Sequence, residues 1–309
     1  MTTQFSQHED VKKLIEISCG LNSDGGDIRF KKIMHRLVSD ICHLIDEFDI
    51  TPEEFWQAAN YLHTLGGRQE AALLAAGLGL EHYLDLREDA REAAAGFGGG
   101  TPRTIEGPLY VANAPLSDGY ARMDDGRDQG RVMWLHGQVK GTDGKPLPGA
   151  IVDIWHANTL GNYSFFDKSQ SEYNLRRRVK TDADGRYAVR SIVPSGYGCP
   201  PDGPTQALLD RLGRHGNRPA HIHFFISAPG HKHLTTQINL NGDQYLWDDF
   251  AFATRDDLIA DPVEITDPKL SAQRDLPHPH TEIEFDFMLA PAIQPLEEQR
   301  INRQRALQA

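Results

Sequence analysis

Cysteine is scarce in this 309-residue chain. Cys19, Cys42 and Cys199 form an odd, widely spaced set, which excludes a disulfide framework and fits a reducing cytoplasm. Long apolar runs are missing too. No stretch approaches the ~20 consecutive apolar residues of a membrane span, and the N-terminal MTTQFSQHEDVKK has no apolar signal-peptide run. Basic charge is in deficit, with 32 Lys and Arg against 44 Asp and Glu and a formal charge of -12. A field of that sign repels phosphate backbones, so nucleic acid is not the expected partner. Proline is almost absent from the first 100 residues, where Pro52 stands alone among 18 in the chain. That stretch therefore reads as helical and the remainder as strands and turns.

What is present begins with a composition that is 39% hydrophobic and 25% charged, ordinary for a folded globular protein. Phe30, Ile33, Met34, Leu37, Val38, Ile41, Leu44, Ile45 and Phe48 follow the helical i, i+3, i+4, i+7 spacing, which predicts a helix with one buried stripe. Thr51-Pro52-Glu53-Glu54 predicts the start of the next helix, with Thr51 as N-cap and Glu54 closing a capping box. Gly66-Gly67 ends it, a further helical stretch runs from Arg68 to Ala95, and Gly96-Phe97-Gly98-Gly99-Gly100 makes a flexible joint.

Beyond the joint the period falls to two. Val132 to Val139, Ala150 to Trp155, Arg186 to Arg190, His221 to Ser227, Leu234 to Leu240 and Thr281 to Leu289 read as strands between Gly, Asp and Pro turns. The fold class expected is α+β, mainly β: an antiparallel β-sandwich over residues 101–309, preceded by a helical domain over residues 1–100.

Pro219-Ala220-His221-Ile222-His223 is the sharpest chemical signal. On a strand, residues i and i+2 share a side, so His221 and His223 can present both imidazoles to one ion. The same pair could equally be two histidines on a polar strand face. His231-Lys232-His233 and His278-Pro279-His280 share the spacing but read as loops. Tyr163 follows a strand, Tyr197 sits between two glycines and ahead of two prolines, and Arg218 adds a cation beside the histidines.

These stretches resemble a family. Arg103 to Tyr110, Trp155 to Asp167, Gly196 to Pro201, Gly213 to His223 and Tyr245 to Phe252 are similar, in order, to motifs of the intradiol ring-cleaving dioxygenases, most closely those that act on catechol. The resemblance implies one Fe(III) per subunit, held by Tyr163, Tyr197, His221 and His223. Phenolate oxygens are hard anionic donors suited to a trivalent cation, and imidazoles suit iron as well. It also implies that a small aromatic diol and O2 react there to give cis,cis-muconate in aromatic breakdown. Tyr197 would give way to substrate and take up a proton, Arg218 would stabilise charge on the ring, and Gln237 would stand beside Arg218.

Leu73, Ala76, Ile105, Pro108, Leu109, Phe250 and Ala251 match the family's apolar pocket walls. Ala76 stands where relatives acting on hydroxyquinol tend to have a polar residue. A third ring hydroxyl left unpaired there would cost roughly 1–3 kcal/mol, which favours catechol. The resemblance further implies a homodimer through the N-terminal helices, with a phospholipid at the interface. Alternative readings are an enzyme for hydroxyquinol, chlorocatechol or protocatechuate, or a non-catalytic transthyretin-like sandwich. The last has no reason to carry Tyr163, Tyr197, His221 and His223 together.

Overall fold

The computed structural model describes residues 5–96 and 98–292. Phe97, inside the expected glycine-rich joint, and the first four residues of the polar N-terminus lie outside the described residues. The chain divides into two compact units, Met1–Arg68 and Gln69–Ala309.

The first unit holds α1 (Glu9–Ser18), α2 (Ile28–Phe48) and α3 (Pro52–Gly67). Asp27 starts α2 two residues before the apolar pattern does, because its carboxylate accepts from the backbone N–H groups of Arg29 and Phe30. The capping box of α3 is formed as expected: Thr51 Oγ1 accepts from Glu54 N at 3.2 Å, and Glu54 Oε2 accepts from Thr51 N at 2.9 Å. The stripe of α2 departs from expectation. Its helical spacing is correct, yet no residue of the helix is buried, and Phe30 and Phe48 are 61% and 67% exposed. A periodic apolar face calls for a cover, and the described residues of one copy leave this one exposed.

The second unit opens with α4 (Ala71–Gly77) and α5 (Leu80–Ala94). The one helix expected over this stretch is two, because Gly79 adopts φ +72, a left-handed conformation that stops the helix after Leu78. The strands follow: β1 (Leu116–Asp118), β2 (Tyr120–Arg122), β3 (Val132–Gly141), β4 (Ile151–His156), β5 (Arg176–Lys180), β6 (Arg186–Ile192) and β7 (Tyr197–Gly198). After α6 (Pro204–Arg211) come β8 (Asn217–Arg218), β9 (His221–Ser227), β10 (Leu234–Leu240), β11 (Ile259–Ala260) and β12 (Val263–Ile265). The short helix α7 (Pro268–Gln273) precedes β13 (His280–Glu284) and β14 (Phe287–Leu289).

One sheet runs β1-β5-β4-β9-β10-β11 and the other β12-β13-β3-β6-β2, with β14 also on β3 and a separate β7-β8 ribbon. The central ladders β5-β4-β9-β10 and β3-β6 are antiparallel, as expected of a sandwich. The sheets as wholes are mixed, because β1, β2, β11, β13 and β14 join in parallel. Two sequence expectations change at the C-terminal end. The stretch from Thr281 to Leu289 breaks into β13 and β14, and His280, expected in a loop, opens β13.

Leu135, Val139, Val152, Ile154, Val189, Ile222, Phe224, Ile226, Ile238 and Phe287 pack in one core cluster contributed by both sheets. The two-residue alternation of β9 sorts its side chains into two sets. Ile222, Phe224 and Ile226 enter that core, while His221, His223 and Phe225 face the other way and are buried as well.

Candidate functional site

The loop after β4 carries Tyr163. Asn158 shapes it: its side-chain oxygen accepts from Leu160 N and Asn162 N, both at 2.9 Å, and its backbone N–H donates to Asn162 O. Gly161 is needed there, since its φ is +78 and a Cβ would lie 2.6 Å from that of Tyr197. Tyr197 lies on β7 directly opposite Arg218 on β8. Gly196 permits that pairing, because a Cβ on it would meet the Arg218 carbonyl oxygen at 2.5 Å. The loop after β4 and the β7–β8 ribbon bring Tyr163, Tyr197 and Arg218 onto the histidine face of β9.

Four donor atoms converge. Tyr163 Oη lies 3.4 Å from Tyr197 Oη and 3.5 Å from His221 Nε2, Tyr197 Oη lies 3.3 Å from His221 Nε2, and the two Nε2 atoms of His221 and His223 are 3.1 Å apart. Tyr163, His221 and His223 are buried, and Tyr197 is half-buried. His221 is aimed by its Nδ1, 2.6 Å from Pro219 O. His223 is aimed by Trp155, its partner across the β4–β9 ladder, whose ring lies parallel to the imidazole with centroids 4.9 Å apart.

Burial and the neighbouring Arg218 charge push His221 down to about 3, and burial with the neighbouring His221 holds His223 well below the ordinary imidazole range. Both rings are thus neutral lone-pair donors at physiological pH. Burial, reinforced by Tyr197, pushes the Tyr163 phenol well above its usual 10, so ionising it requires a cation nearby. Two neutral imidazole nitrogens and two phenol oxygens meet there with no carboxylate among them. A hard, highly charged cation satisfies these donors, and the ferric ion implied by the resemblance fits them. Among the described residues, no trio of His, Cys, Asp or Glu forms a metal group. The donor set is recognisable only when phenols are counted.

Arg218 reaches the cluster with Nη1 3.1 Å from His221 Nε2, and its Nη2 donates to Gln237 Oε1 at 2.8 Å. Gln237 stands opposite His223 in the β9–β10 ladder and is fully buried. The pocket residues divide. Ala76, Ile105, Phe250 and Ala251 form one buried cluster with Cys199, Leu209 and Ala253, and Leu73 packs against it. Leu109 instead packs with Tyr197 against Trp155, Tyr163 and Phe225, while Pro108 is half-buried.

Sequence reasoning assigned no role to Trp155 or to Asp249, the buried carboxylate that Arg218 grips through Nε and Nη2. Both stand inside motifs that carried the resemblance, yet neither is spaced as a ligand would be.

A family model described as "Dioxygenase" matches residues 105–291, and one described as "Catechol dioxygenase N terminus" matches residues 27–96. The chain is 52% identical to the catechol 1,2-dioxygenase of Acinetobacter baylyi over 99% of each chain. It is 63% identical to catechol 1,2-dioxygenase 2 of Acinetobacter lwoffii over 76% of this chain and 85% of that one. The crystal structure of catechol 1,2-dioxygenase from Pseudomonas arvilla C-1 superposes with a TM-score of 0.94 at 59% identity, covering 99% of each chain.

Proposed function

The chain belongs to the intradiol ring-cleaving dioxygenase family, and on that premise we propose that it cleaves catechol between its two hydroxylated carbons. Both atoms of O2 enter the product, cis,cis-muconate, so the step belongs to aromatic compound breakdown. The observation that carries this reading is the convergence of Tyr163 Oη, Tyr197 Oη, His221 Nε2 and His223 Nε2 beside Arg218.

Tyr163, Tyr197, His221 and His223 are the residues that would hold the iron. Fe(III) held there would supply the Lewis acidity that favours catechol as its dianion. The remaining work falls to side chains. Tyr197 Oη, on the less buried of the two phenols, is the atom suited to accept a substrate proton. Arg218 Nη1 offers fixed positive charge to the electron-rich ring, and Gln237 Oε1 helps fix the guanidinium. Leu73, Ala76, Ile105, Phe250 and Ala251 supply an apolar seat that keeps water from the ring.

Substrate choice follows from that seat. Ala76 is 3% exposed among apolar side chains and offers no hydrogen-bond partner to a third hydroxyl. Catechol is expected to exceed hydroxyquinol in kcat/KM by at least tenfold, in line with ~1–3 kcal/mol for an unpaired buried hydroxyl. Turnover of both under ¹⁸O2, with product masses, checks this and the reaction together. A product lacking two labelled oxygens, or one cleaved outside the diol, overturns the function. A hydroxyquinol preference overturns the pocket argument alone.

Residues 1–100 are assigned to self-association and residues 101–309 to catalysis, with α4 also lending Leu73 and Ala76 to the pocket. The uncovered stripe of α2 supports a homodimer with a phospholipid at its interface. Light scattering at micromolar concentration is expected to give twice the 34.5 kDa chain mass, and solvent extraction is expected to release a lipid. A monomer removes the first assignment and a lipid-free extract the second. Three free cysteines agree with a reducing cytoplasm. No helix among the described residues is long and apolar enough to cross a membrane.

A further inference from the structure

Asp249 has more partners than a counter-ion needs. Its side chain is 2% exposed and all its acceptor positions are engaged. Oδ1 accepts from Arg218 Nε at 3.1 Å and from Ala251 N at 3.0 Å, while Oδ2 accepts from Arg218 Nη2 at 3.1 Å and from Ala253 N at 3.3 Å. The paired grip on Nε and Nη2 fixes the plane of the guanidinium and leaves Nη1 as the corner beside the donor cluster.

The two backbone bonds tie the same carboxylate to the segment that supplies Phe250 and Ala251 to the pocket. That segment is itself secured. Phe250 N donates to Asn217 O at 3.1 Å, and Arg214 donates to Phe250 O at 3.2 Å and to Gly77 O, at the end of α4, at 2.7 Å. Asp249 therefore joins the cation to the wall against which the ring would rest.

We propose that Asp249 is a positioning residue for ring cleavage, setting the direction of Arg218 Nη1 and coupling it to the aromatic seat. The inference rests on the catechol reading above. A carboxylate serving stability alone would affect folding but would leave catalytic turnover of the folded, iron-loaded protein near the native value.

The test compares the native protein with Asp249→Asn, Asp249→Glu, Arg218→Gln and the Arg218→Gln/Asp249→Asn pair, all iron-loaded and assayed on catechol. Asp249→Asn nearly preserves the shape but sets an amide against the guanidinium. It is expected to lower kcat at least 30-fold, to change KM less than threefold and to keep the resting visible absorption. Asp249→Glu restores the charge and is expected to recover at least fivefold of the loss. In the Arg218→Gln background the Asp249→Asn change is expected to alter kcat less than threefold, because no guanidinium remains to be aimed.

Thermal melts of the same set give a second reading. The double variant is expected to melt above both single variants, since it leaves no buried charge unpaired. This tests the pairing on which the proposal depends, even where Asp249→Asn is too unstable to assay. A kcat within threefold of native for Asp249→Asn overturns the proposal. So does an equal penalty with and without Arg218, or a double variant that melts no higher than Asp249→Asn. Native protein that leaves catechol intact would overturn the parent reading instead, and the melts would still show whether the two residues act as a unit.

Discussion

Tyr163→Phe is expected to bleach the iron-loaded protein and to lower kcat/KM for catechol by at least ~10³-fold, about 4 kcal/mol of lost transition-state stabilisation. The substitution removes one oxygen and little else. The ring keeps its edge-on contact with Tyr197, 5.6 Å between centroids, and its place beneath the Arg176 guanidinium at 5.7 Å. Phenylalanine leaves no cavity of consequence, so a folding defect is not the expected outcome. What is lost is one of four converging donors, in a site where no carboxylate stands ready to replace it. Iron content, visible absorption and steady-state kinetics on one preparation check the prediction. A variant that stays coloured and turns over within tenfold of native would remove Tyr163 from the donor set.

Arg218→Gln is expected to separate colour from catalysis. The four donors remain, so iron and its absorption stay, while kcat falls ~10²- to 10³-fold through loss of the positive charge beside the ring. Stability falls as well. Burial alone would raise the Asp249 carboxyl, but the Arg218 charge outweighs it and holds the group below its usual 3.8. Its folded value is depressed, so Asp249 contributes stability that is present above the ordinary carboxylate pKa and lost as pH falls through the folded value. Without Arg218 the charge is buried and unpaired, at about 3 kcal/mol or more. The melting temperature is expected to drop by roughly 6–12 °C at neutral pH. Unchanged turnover would place the ring's charge stabilisation elsewhere.

Much of the site could be read from the chain before any fold was known. His221 and His223 share a strand face by the two-residue period, and Tyr197 between glycines proved to sit where Gly196 leaves no room for a side chain. Asp249 could not be read in this way. Its role exists only because Arg218, 31 positions earlier in the chain, folds onto it, and no local pattern encodes that meeting. The parallel edge strands are illegible for a related reason. Strands of two or three residues such as β1, β2 and β11 carry too little alternation to announce a partner, and long-range docking decides their direction. The α2 stripe was correctly periodic, but periodicity says only that a face is apolar. It does not say which molecule covers it.

Strand β9 leaves unequal freedom for evolutionary change. Its even-numbered side chains fill the sandwich, and His221 and His223 on its other face enter the donor cluster. Deleting or inserting one residue would exchange the two sets, driving imidazoles into hydrocarbon and isoleucines into the catalytic chamber. Such an error is lethal to folding and reactivity at once, so descent can hardly tinker with this strand. Change is freer in α4 and the 250–253 segment, which pack together in a separate apolar cluster where a new side chain shifts no rung of the ladder.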